Sequence, residues 1–184
     1  MTGPGSFRAV VASAERLYDQ RSIDAAILAM AAKIDIDYGN VDRPLLLTVM
    51  QGGLFFAGQL GLVVHQDFEF DYVHASRYRG TQGGGLQWLR QPAVAMAGRH
   101  VLLADDILDE GHTLLAIQQH CQAEGAASVR IAVLAHKRHE RRAPGIGADY
   151  IGLEVPDRYV FGYGMDWNGH GRNLPAIYAL DAEA

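Results

Sequence analysis

The sequence predicts an α/β fold with a mostly parallel central sheet flanked by helices, in one domain. Three observations lead there. Apolar runs of strand length alternate with helix-period segments between Leu45 and Leu134, the pattern of a right-handed parallel sheet. The chain has 184 residues, 49% of them hydrophobic, enough for a single core. The run Val101, Leu102, Leu103, Ala104 has no polar face, as expected of a strand covered on both sides.

Residues 1–10 carry glycine and proline without periodicity and are expected to be a loose arm. Ile23, Ile27, Met30 and Ile34 then recur at helical spacing, with Ser22 as the expected N-cap. Leu45 to Met50 is the first central strand, and Gln51, Gly52 and Gly53 lead from it into an apolar helix, LFFAGQLGL. Paired glycines there either admit a ligand to the backbone or only make a tight turn. Phe70 to Ala75 is a further strand, followed by the glycine-rich stretch Ser76 to Trp88. A loop of that length is expected to be a mobile lid more often than a mere connection, with a plain surface excursion or a hairpin tip as the other reading. The helix from 113 to 124 stops at Gly125, and Val129 to Ala135 is a β-branched strand delivering His136, Lys137 and Arg138 to its carboxyl end. Tyr150 to Val155, Tyr159 to Tyr163 and Ala176 to Leu180 complete the extended segments.

Chemistry concentrates in VLLADDILDEGHTLLAI, residues 101–117. The acids Asp105, Asp106 and Asp109 are expected in the turn where the strand ends, and a helix opens just beyond them. Carboxyl ends of parallel strands and helix N-termini are where ligands and phosphates bind. The pattern calls for a ligand with both hydroxyls, or a metal, together with a phosphate. An EF-hand spacing and a Walker loop are both absent.

The formal net charge of -5 and pI near 5.9 argue against nucleic acid or a membrane as partner. One cysteine, Cys121, fits a reducing compartment. The N-terminal residues lack the pattern of a secretory signal, and the sequence has no apolar run of about 20 residues. A cytoplasmic protein is the expectation.

The segment ADDILDEGHTL after an apolar strand resembles the ribose-phosphate signature of type I phosphoribosyltransferases. VMQGGLFFAGQL, HASRYRGTQGGG, and the pair AHKR with PDRYVFGYGMDWNGHGRNLP are similar, in order, to the hypoxanthine-guanine branch. The resemblance covers roughly Leu45 to Leu180. It implies the type I phosphoribosyltransferase fold, a parallel sheet with a small hood to which about 1–40 and 156–184 contribute. The activity it implies is transfer of a phosphoribosyl group from phosphoribosyl pyrophosphate to a 6-oxopurine, with magnesium, in a homodimer or homotetramer.

Carried onto this sequence, the resemblance gives Asp105 and Asp106 the ribose hydroxyls and Asp109 proton exchange with the base. Glu110, Gly111, His112 and Thr113 cradle the 5′-phosphate. Lys137, Tyr159 and the Val160 backbone meet the purine. Gln51, Gly52, Gly53 and Arg172 face pyrophosphate, and Asp166, with Asp105 and Asp106, faces magnesium. Ser76, Arg77 and Tyr78 belong to the lid. Three residues depart from the family pattern: Gln51 replaces a common basic residue, Arg77 a serine, and Glu110 a small hydroxyl residue. The Glu110 side chain is expected to face solvent while its N–H serves the phosphate. Two other assignments stay open, a nucleotide-sensing regulator of the same fold that binds RNA or a protein, and an enzyme for xanthine or another base. The acidic net charge counts against the first, and Lys137 counts against an amino-bearing base.

Overall fold

The computed structural model describes residues 6–77 and 86–180. Helix α1 (Phe7–Ser13) and strand β1 (Glu15–Tyr18) precede the long helix α2 (Gln20–Tyr38). Strand β2 (Leu45–Met50), helix α3 (Leu54–Val63) and strand β3 (Glu69–Arg77) follow, then β4 (Leu86–Arg90), β5 (His100–Leu108), α4 (His112–Ala123), β6 (Ser128–Lys137) and β7 (Tyr150–Val155). Two short strands, β8 (Val160–Phe161) and β9 (Ile177–Ala179), close the chain.

The main sheet has six strands in the order β4-β3-β2-β5-β6-β7, with every pairing parallel except β3 with β4. Because successive strand residues face opposite sides, Leu46, Leu102 and Leu134 join α2 and α3 in one core. Leu45, Leu47, Leu103 and Val133 join α4 in the other. That double covering is why β2 opens with Leu45, Leu46 and Leu47 and β5 carries the run Val101 to Ala104. A second sheet, β1-β9-β8, is antiparallel and sits apart from the first in the pairing. Helix α2 packs chiefly on β7 of the main sheet.

Four local expectations need correction. The residues expected to be a loose arm include part of α1, where Phe7 stacks on Trp167 and His170 with ring centroids 6.1 and 5.6 Å away. The N-cap of α2 is Asp19, not Ser22: its carboxylate accepts the Ser22 N–H at 2.9 Å and the Ser22 hydroxyl at 2.8 Å. A carboxylate satisfies two donors there, which a serine within the first turn cannot do. Between Tyr159 and Tyr163, only Val160 and Phe161 pair as a strand. The stretch Ser76 to Trp88 has strand at both ends. Ser76 pairs with Gln87 and Arg77 with Leu86, and the Trp88 ring lies 4.6 Å from that of His120 on α4. The base of this hairpin is pinned by Asp71, which accepts from Arg90 at 2.9 Å and from the N–H groups of Ala93 and Val94.

Candidate active site

Pairing with β6 runs on to Leu108 opposite His136, so β5 stays extended past its apolar stretch. Asp105 and Asp106 therefore lie inside the strand rather than in the turn expected to hold them. Asp106 is 8% exposed, and its N–H donates to Asp105 Oδ1 at 2.9 Å. Burial pushes both carboxyls up, and the neighbouring negative charge of Asp106 raises Asp105 further; Asp106 reaches about 6. Two desolvated acids side by side keep spare lone pairs that hydroxyls or a cation can use.

Next comes the turn into α4. Gly111 has φ 78°, and a Cβ there would fall 2.7 Å from Ile146 Cγ2, so glycine is needed on both counts. The first N–H groups of a helix have no intrahelical acceptor and sit at its positive end. Those of α4 border the cleft through Gly111, His112 and Thr113. The Glu110 carbonyl accepts the Ala143 N–H at 2.8 Å, which ties this turn to the loop after β6. The Glu110 side chain is 44% exposed, with His112 Nε2 3.8 Å away.

Asp109 stands between two donors. Lys137 Nζ lies 2.6 Å from its Oδ2, and His139 Nε2 lies 2.6 Å from its Oδ1. Burial raises the Asp109 carboxyl, but the hydrogen bonds from Lys137 and His139 and the charge of Lys137 outweigh it and hold the acid below its ordinary range. Asp109 is thus a fixed carboxylate with Lys137 beside it at the rim of the cleft.

The far wall is built by two loops in close contact. A Cβ on Gly52 would fall 2.1 Å from Asp106 Oδ2, and one on Gly164 (φ 105°) would fall 2.2 Å from the Gly52 carbonyl oxygen. Only glycine allows this stacking of loop, loop and acid. Arg172 donates to the Gly164 carbonyl at 2.6 Å and to Asp166 Oδ1 at 2.5 Å, while Asp166 Oδ2 accepts the Gly169 N–H at 2.8 Å. Arg172 therefore shapes its own loop as well as facing the cleft. Tyr159 is 50% exposed, its hydroxyl bonded to the Asp166 carbonyl at 3.0 Å, which leaves a ring face open beside Val160.

One cleft of about 510 Å³ gathers Gln51, Gly52, Asp105, Asp106, Asp109, Lys137, Tyr159, Val160, Asp166, Arg172 and the turn from Glu110 to Thr113. Gly53 lies behind it, where a Cβ would meet the Ala104 carbonyl at 2.6 Å, so it packs α3 against the sheet rather than facing the cleft. Ser76 and Arg77 end β3; Ser76 does not line the cleft, although Ala75 does. Tyr78 lies outside the described residues.

Residues 13–168 match the model of the phosphoribosyl transferase domain. The chain belongs to that family. Among similar proteins, the hypoxanthine-guanine-xanthine phosphoribosyltransferase of Tritrichomonas foetus is 34% identical over 89% of this chain and 90% of its own. The hypoxanthine-guanine phosphoribosyltransferase of Streptococcus pneumoniae is 34% identical over 91% and 93%. The crystal structure of a hypoxanthine phosphoribosyltransferase from Staphylococcus aureus superposes with a TM-score of 0.86, at 28% identity, covering 94% of this chain and 95% of that one.

Within this phosphoribosyl transferase domain, the sequence did not reveal His139 or Gly164. His139 ends a basic run that reads as a solvated turn, and Gly164 is one of several glycines in its segment. For a metal, the described residues contain no group of three or more His, Cys, Asp or Glu able to hold an ion alone. Asp166 and the Asp105–Asp106 pair nevertheless offer hard carboxylate oxygens on one cleft. That donor set fits magnesium, which is commonly held by one or two carboxylates together with substrate phosphates.

Proposed function

We propose that this chain is a purine salvage enzyme, a pentosyltransferase that moves the 5-phosphoribosyl group from phosphoribosyl pyrophosphate to hypoxanthine, and to guanine. The products are the nucleoside monophosphate and pyrophosphate. The observation that carries this is the joining of Asp109 to Lys137 at 2.6 Å, in the cleft that also holds the helix N-terminus and the exposed Tyr159 ring. Family membership and the names of the relatives support it.

In this mechanism Asp105 and Asp106 accept the ribose hydroxyls, whose vicinal diol suits paired carboxylates. The N–H groups from Glu110 to Thr113 and the Thr113 hydroxyl take the 5′-phosphate. The purine lies on Tyr159 with its exocyclic edge toward the Val160 backbone, and Lys137 donates to the 6-oxo oxygen. Asp109 takes or returns the imidazole proton as the glycosidic bond forms. Bond breaking at C1′ places positive charge on the sugar and negative charge on the leaving group. Gln51 and Gly52 bring backbone close to that group, and Arg172 adds charge. Asp166, with Asp105 and Asp106, would hold magnesium, which when bound neutralises pyrophosphate. The stretch Ser76 to Trp88, to which Ser76, Arg77 and Tyr78 belong, is the segment proposed to close over the site and keep water out. We also assign the small sheet and its flanks to a hood, and expect a cytoplasmic homodimer or homotetramer.

A steady-state assay with magnesium, phosphoribosyl pyrophosphate and each of hypoxanthine, guanine, xanthine and adenine tests the proposal. Nucleotide should form from the 6-oxopurines and not from adenine. No product from any base would refute it.

A further inference from the structure

Asp109 has a second partner that the mechanism above does not use. We propose that His139 is a positioning residue: a neutral imidazole whose Nε2–H fixes Asp109 Oδ1, so that the carboxylate presents one orientation to the base. This inference rests on the phosphoribosyl-transfer proposal for its catalytic part.

The tautomer follows from the hydrogen bonds. His139 Nδ1 accepts the Arg141 backbone N–H at 3.0 Å, so that nitrogen has no room for a proton. The single ring proton of a neutral imidazole then sits on Nε2, which faces Asp109 Oδ1 at 2.6 Å. A protonated ring would set Nδ1–H against the Arg141 N–H. The side chain is 2% exposed and does not line the cleft, so it reaches the base only through Asp109.

Geometry explains why a second donor matters. Lys137 on β6 already holds Asp109 Oδ2 at 2.6 Å, but Lys137 is also the group proposed to turn toward the 6-oxo oxygen. When its ammonium turns to the purine, the Asp109 carboxylate keeps His139 as its anchor. A bond that stays with Asp109 through this exchange leaves Oδ2 aimed at the base instead of free to rotate about Cβ–Cγ. The loop carrying His139 is itself braced: the Ala143 N–H donates to the Glu110 carbonyl at 2.8 Å, and Arg141 forms a two-point pair with Asp157 at 2.7 Å. The anchor and the phosphate turn therefore move as one unit. The charged groups facing Asp109 are Lys137, from β6, and Arg141, from the following loop; Asp157 past β7 pairs with Arg141, and Glu110 is adjacent in sequence.

The test compares native chain, His139→Ala and His139→Gln, whose amide N–H can replace Nε2–H. With hypoxanthine as the varied base, His139→Ala should lose about tenfold in kcat, with KM for phosphoribosyl pyrophosphate unchanged. The acid limb of its pH–rate profile should move upward, because a donor to the Asp109 carboxylate is gone. His139→Gln should recover most of the kcat and the native limb. Equal losses in both variants with an unmoved limb would make His139 a packing residue and overturn the proposal, as would native kcat in a folded His139→Ala. Nitrogen-15 spectra of the native chain judge the geometry without any variant: a protonated Nε2 and bare Nδ1 are expected, and the reverse overturns it. If the native chain makes no nucleotide, the transfer proposal fails, and the spectra still decide whether His139 holds Asp109.

Discussion

Replacing both Asp105 and Asp106 by asparagine should make the ligand-free protein more stable at neutral pH, and the size of the gain follows from their burial. Asp106 ionises at about 6 in the folded chain, against 3.8 for an unburied aspartate. The folded state therefore holds more protons than the unfolded state between those values, and stability falls as pH rises through that window. With 1.36 kcal/mol for each pH unit of displacement, Asp106 alone costs about 3 kcal/mol above pH ~6. Asp105 is raised as well, by burial first and then by the charge of Asp106, and adds in the same direction. Carboxyls held below their ordinary range, such as Asp109, lose their contribution only as pH falls through the more acidic range, so they do not mask the window. Urea unfolding of native chain and double variant, repeated from pH 4 to pH 7.5, isolates the pair by subtraction. The variant should gain on the native chain by about 3 kcal/mol or more over that range. Ribose 5-phosphate with magnesium should then stabilise the native chain at pH 7 and leave the variant unmoved. A difference between the two proteins that stays flat from pH 4 to pH 7.5 would refute the account of a desolvated acid pair.

Asp109→Ala should lower turnover by about two to four decades, the usual span for a general acid or base, and steady-state kinetics with unchanged kcat would remove it from the mechanism. Gly52→Ala places a Cβ 2.1 Å from Asp106 Oδ2 and should cost about 1–3 kcal/mol of overpacking, read as a raised KM for phosphoribosyl pyrophosphate. Its control is Gly58→Ala within α3, where nothing lies within 4 Å of the added carbon; melting curves should show up to about 1 kcal/mol of added stability. Asp71→Ala should destabilise by about 3 kcal/mol in urea unfolding, because Arg90 and the N–H groups of Ala93 and Val94 all lose their acceptor.

The sequence alone determined the elements whose apolar pattern has a single outlet. Leu45 to Met50 and Val101 to Ala104 are covered on both faces, which only a covered parallel strand accommodates, and Gly111 before a helical period marks the turn into α4. The acids were legible as chemistry because polar groups at strand ends stand out against apolar runs, whereas Tyr159 drew its role only from the family resemblance and Lys137 drew weight from its position alone. Where each strand stops was not legible: β5 continues through two aspartates because β6 supplies its hydrogen-bond partners as far as His136. The same holds for Asp19 taking the cap from Ser22, and for Phe7 giving an unpatterned arm a seat against Trp167. Tertiary structure also decided that His139, besides Lys137, is the member of HKRH that faces Asp109. His136 bonds Glu154, Arg138 bonds the same carboxylate, and His139 turns to Asp109, a choice set by β7 and the loop beyond rather than by residue type. Local periodicity reports which residues leave water, whereas a partner far along the chain decides what a polar side chain bonds, and only the folded contacts contain that information.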